Sequence, residues 1–205
     1  MTTTKKLVIA VIALSLALIC AIGGTLAFLV AETKPVTNTF TYGEITISLW
    51  ENVLDENGNV TDEKDYDGIE YGKIVPGDVV NKNPTVTVSK GSEPCYVYVL
   101  IENQLGDAAS YDIKEDVWEE IGRSENKLLY RYKVDDGIVN AADAEKNLVV
   151  FEKLVFSSDL DKNTIGALAG KNVVISAYAH QSDNTTVDIA NEAAIKWAKV
   201  QSTSA

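Results

Sequence analysis

Cys95-Tyr96-Val97-Tyr98-Val99-Leu100-Ile101-Glu102 decides the fold. Seven of its residues are apolar or aromatic, three are β-branched, and there is no glycine or proline among them. A run of this length and composition reads as the strongest strand in the chain. Shorter strand signals surround it. Ile45, Ile47 and Leu49 alternate with Thr46 and Ser48. Thr85 to Val88 is β-branched throughout and begins after Pro84, a position strands accept. Ile69 to Val75, Leu128 to Val134 and Leu148 to Phe156 follow the same rule. In Asn172 to His180, Val173, Ile175, Ala177 and Ala179 face one way, with Val174, Ser176, Tyr178 and His180 opposite.

Turn chemistry separates these runs: Asn57-Gly58, Asp67-Gly68, Pro76-Gly77-Asp78 and Asp135-Asp136-Gly137. Helical periodicity is scarcer. It predicts a helix over Ile113–Ile121, one turn over Thr164–Ala169, and an amphipathic helix over Val187–Val200. In the last, Ile189, Ala193 and Trp197 recur every four residues beside Ala190, Ala194 and Ala198. The expectation is an all-β fold with minor helices, an antiparallel β-sandwich carrying a C-terminal amphipathic helix.

The first 27 residues are set apart as an export signal. Lys5 and Lys6 precede an apolar run from Leu7 to Ile22, and Gly23-Gly24-Thr25-Leu26-Ala27 follows. Basic start, apolar middle and small-residue end are the order of a secretory signal, with cleavage between Ala27 and Phe28. An uncleaved anchor is the alternative, since about 20 apolar residues span a bilayer; the small residues favour cleavage. A lipid anchor on Cys20 is disfavoured by Leu18 and Ile19, which stand where small residues are needed. Cleavage leaves Cys95 as the one cysteine, so no internal disulfide staples the domain. At the head of an apolar strand it reads as a buried thiol.

Acidic residues outnumber basic ones by 30 to 18, a net charge of −12, which losing Lys5 and Lys6 deepens. Such a surface repels nucleic acid and anionic lipid. The acids concentrate in residues 52–68, read as a solvated excursion. Asp55, Glu56, Asp62, Glu63, Asp65, Asp67 and Glu70 make this stretch the best candidate for calcium. Asp55, Asn57 and Asn59 match the first, third and fifth places of an EF-hand loop. Val60 then replaces the required glycine and Tyr66 the glutamate, so no metal site is assigned. His180 is the lone histidine, and there is no His-Glu-x-x-His helix, nucleophile elbow or phosphate loop. Neither a catalytic residue nor a cofactor is expected, and the chain is read as no enzyme.

The signal and its sequel carry a resemblance. Gly23-Gly24-Thr25-Leu26-Ala27-Phe28, Asn38 to Gly43 and Ile45 to Leu49 come first. Val75-Pro76-Gly77-Asp78, Asn83 to Val88, Cys95 to Val99 and Ile175 to Gln181 follow in order. Together they resemble the TasA/camelysin (CalY) family across most of the chain. The resemblance implies export through a signal peptidase of the SipW type, a jelly-roll-like sandwich, and assembly into extracellular fibres of the biofilm matrix. It also implies that the segment freed by cleavage completes the sheet of the next subunit. Here that segment is 28–43, with Phe28 to Thr39 as donor and Phe28, Leu29, Val30, Val36 and Phe40 as its apolar side chains; residues 44–205 form the sandwich. The implied partners are other copies of the chain, the peptidase and minor fibre subunits. A different class, a monomeric cell-surface module for adhesion or ligand binding, is the alternative.

Overall fold

The computed structural model describes Lys5 and residues 43–69 and 73–203. The chain partitions into residues 1–41 and 42–205, and the architecture below belongs to the second unit. The cleavage site and Phe28, Leu29, Val30, Val36 and Phe40 lie outside the described residues. Among the described residues no helix is long and apolar enough to cross a membrane.

The fold is an all-β sandwich of antiparallel sheets with minor helices. One sheet runs in the order β10 (Lys146–Val149), β4 (Thr85–Val88), β1 (Ile47–Leu54) and β2 (Val60–Asp65). The facing sheet runs β12 (Val173–Gln181), β5 (Cys95–Asn103), β8 (Lys127–Tyr132), β7 (Trp118–Ser124) and β13 (Gln201–Ser202), with β9 (Ile138–Val139) also pairing β5. A third, small sheet has the order β3 (Val79–Asn81), β11 (Lys153–Phe156) and β6 (Ala109–Tyr111). Neighbours in these orders are rarely neighbours in sequence: β1 pairs β4 and β4 pairs β10, so the chain crosses repeatedly between sheets, as a jelly roll does.

The main core lies between the two large sheets. Val86 and Val88 of β4 and Leu148 of β10 meet Cys95, Val97, Val99 and Ile101 of β5, with Trp118, Tyr130 and Phe151. The opposite face of β5 is buried too. Tyr96, Tyr98, Ile121 and Leu129 lie under α2 (Val187–Ala198), which presents Ala190, Ala194 and Ala198. Small residues every fourth position let the helix axis come close to the sheet. Tyr98 donates its hydroxyl to Asn191 Oδ1 at 3.0 Å, and Trp197 stacks on Tyr178 at 5.2 Å. This double burial is why the sequence of β5 is apolar without alternation.

Several expectations need correction. The amphipathic helix over Ile113–Ile121 does not form: a turn closes Val117 N to Lys114 O at 3.0 Å, and Trp118 then opens β7. A hairpin with β8 can bury Trp118 and Ile121 against different layers, which a lone helix face cannot. On α2 the alanines, not Ile189, form the buried stripe; Ile189 is 55% exposed. The run Leu148–Phe156 is broken at Val150–Glu152, where the chain leaves β10 for β11 in another sheet. Residues 52–68 are not an excursion alone: β1 extends to Leu54 and pairs β2 across a turn in which Gly58 has φ +78°. Residues 73–75 are irregular rather than the end of a strand. The one-turn helix appears as α1 (Lys162–Ala167), capped by Asp161, whose Oδ1 accepts from Thr164 N at 2.7 Å.

Candidate assembly edge

β12 and the first half of β1 form the edge with the most to offer a partner. β12 is paired along all nine residues with β5, from Val173↔Asn103 to Gln181↔Cys95. Among the described residues its other side has no strand. Ile47 to Trp50 of β1 pair β4, whereas β2 joins β1 only from Glu51 onward. β12 thus ends its sheet, the first half of β1 has no neighbour beyond it among the described residues, and the two strands approach within 8 Å between Cα atoms.

The inward side chains at this corner are incompletely covered. Ile45, Ile47 and Leu49 on one strand, with Ile175, Ala177 and Ala179 on the other, pack against the main core but stay half-buried. Their counterparts Val86, Val88, Val97 and Val99 are fully buried. A further strand with alternate apolar residues would complete that burial, each hydrogen bond and each covered methylene adding a favourable increment.

The other residues singled out by sequence do not converge on this edge or on one another. His180 is the penultimate residue of β12; its Nδ1 is 2.9 Å from the Gln181 carbonyl oxygen and its ring meets Tyr178 edge-on at 6.4 Å. Asp55 is occupied within its own turn, accepting from Asn57 N, Asn59 N and Asn59 Nδ2 at 2.8–2.9 Å. The Asn59 amide group, chiefly, holds the Asp55 carboxyl below its usual range. Among the described residues no three His, Cys, Asp or Glu side chains come together to hold a metal.

Cys95 is fully buried, and desolvation pushes its thiol from 9.0 up to about 11. Burial raises Tyr98 and Tyr130 as well. Each raised group stabilises the fold while the unfolded chain is still protonated, and that contribution is lost as pH climbs through the folded value. The urea midpoint should therefore fall between pH 9 and pH 11; equal midpoints at both would show that these groups are not desolvated.

Sequence reasoning missed a buried ion pair beside this edge. Glu51 continues the inward alternation of Ile47 and Leu49 and accepts from Lys82 Nζ at 2.5 Å. Both residues are more than nine-tenths buried, and Glu51 Oε2 has no hydrogen-bond partner. The signal was faint: one acid in phase with two apolar residues. No family model, curated protein or solved structure matches the chain.

Proposed function

We propose that the chain is an exported, non-enzymatic structural subunit that assembles head to tail into extracellular matrix fibres. The segment following the signal, with Phe28, Leu29, Val30, Val36 and Phe40, would add as a strand to the next subunit's sandwich. The observation that supports this reading is the half-buried inward row along β12 and the first half of β1, segments paired with a strand on one side only among the described residues. Long edges of this kind are usually blunted in monomeric proteins, because they template pairing with other chains. A donor-to-acceptor contact joins different patches, so it does not close and propagates as a filament. Export signal and donor are contiguous, so cleavage between Ala27 and Phe28 would be the step that frees the strand. Copies of the chain, a peptidase of the SipW type and minor fibre subunits are the partners this reading calls for.

Deleting Phe28 to Thr37 should leave a monomer with unchanged circular dichroism that no longer scatters light at concentrations where the processed chain fibrillises. Filaments from the truncated chain, seen by electron microscopy, would defeat the donor mechanism. A processed chain that stays monomeric at every concentration would instead favour a solitary surface module.

A further inference from the structure

The small third core borders an open cleft. Its buried members are Ala109, Leu154 and Phe156, and beside them lies a cavity of about 520 Å³ that opens to solvent. Leu154 and Phe156 of β11 line it with Leu105, and Ile165 and Leu168 face them from α1 and the residue after it. Its size falls in the range of ligand pockets, ~300–1,000 Å³.

The polar lining has one sign. Lys73, Lys82 and Lys171 contribute to the wall, and no aspartate or glutamate does among the described residues. In a chain with 30 acids to 18 bases this is the reverse of the overall balance. Lys82 is neutralised by Glu51 at 2.5 Å. Lys73 and Lys171 are exposed and take part in none of the ion pairs found among the described residues. An apolar floor under two cationic side chains selects a ligand with a hydrocarbon body and an anionic head.

We propose that this cavity binds a free medium-chain fatty acid as its carboxylate, the chain on Leu154, Phe156 and Leu168 and the head at Lys73 and Lys171. A cavity of this size matches that of pockets that take one small ligand, and a single twelve-carbon chain is chosen as the probe. The cavity adjoins the edge of β1 and β12 through Lys82 and Val173, but none of the half-buried residues Ile45, Ile47, Leu49, Ile175, Ala177 and Ala179 lines it, so the inference does not depend on fibre formation.

Calorimetric titration of the intact chain with dodecanoate, dodecanol and acetate, below the micellar concentration of the first, tests it. Dodecanoate should bind saturably at one per chain, dodecanol about tenfold or more weaker, and acetate not measurably, because charge-assisted contacts and apolar burial must combine. The exposed double change Lys73→Met/Lys171→Met should weaken dodecanoate about tenfold while leaving thermal unfolding unchanged. Ile165→Glu, placing a carboxylate in the wall, should abolish binding. Absence of saturable uptake, equal affinity for dodecanol, or full affinity in the double variant would each overturn the proposal.

Discussion

Trp118→Ala should lower the unfolding free energy by about 3–5 kcal/mol. Trp118 is 2% exposed, at the start of β7 and within the main core. Its indole N–H donates to the Val149 carbonyl at 3.0 Å, and its ring meets Tyr132 edge-on at 5.7 Å. Truncation therefore opens a cavity, removes an aromatic contact and strands a carbonyl where the facing sheets meet. Trp118→Phe refills most of the space but not the hydrogen bond, so it should recover most of the loss and leave about 1 kcal/mol. Chemical denaturation of the three proteins checks this. A loss under about 1 kcal/mol for Trp118→Ala would place this residue outside the core that joins the sheets.

The second large effect is conditional on its partner. Lys82→Met should cost about 3–5 kcal/mol, because Glu51 would be left as an uncompensated buried charge. The double change Glu51→Leu/Lys82→Met should return to within about 1 kcal/mol of the parent, since well-packed apolar side chains replace a buried ion pair at little cost. A double-mutant cycle in urea reads the coupling directly. Additive losses would mean that water reaches the pair and that its burial is incomplete.

The two effects also show what could be read from the chain and what could not. The spacing of Trp118 with Ile113, Val117 and Ile121 predicts a helix, since four apolar residues at these intervals satisfy a helical face. They also satisfy a turn followed by a strand, and the hairpin pairing with β8, which begins beyond that window, decides between them. Lys82 stands between Asn81 and Asn83, with no local pattern that marks it as buried; only the approach of Glu51 from β1 pairs it. On α2 the helix itself is legible from its period. Its docked stripe is not, because alanines and larger apolar residues are both candidates for the buried face.

The chain's own pattern determined what depends on neighbours within a few residues: the central strand at 95–102, the alternation of β1 and β12, the Val75–Asp78 turn with Gly77 at φ +84°, and the terminal helix. Local sterics and side-chain period act over that range, so they are written in order along the sequence. Strand partners, the break between β10 and β11, the Glu51–Lys82 pair, the half-covered corner and the cleft beside the third core were decided only by the tertiary structure. Each of these is a meeting of segments far apart in sequence, and burial, unlike period, is a property of where those segments come together.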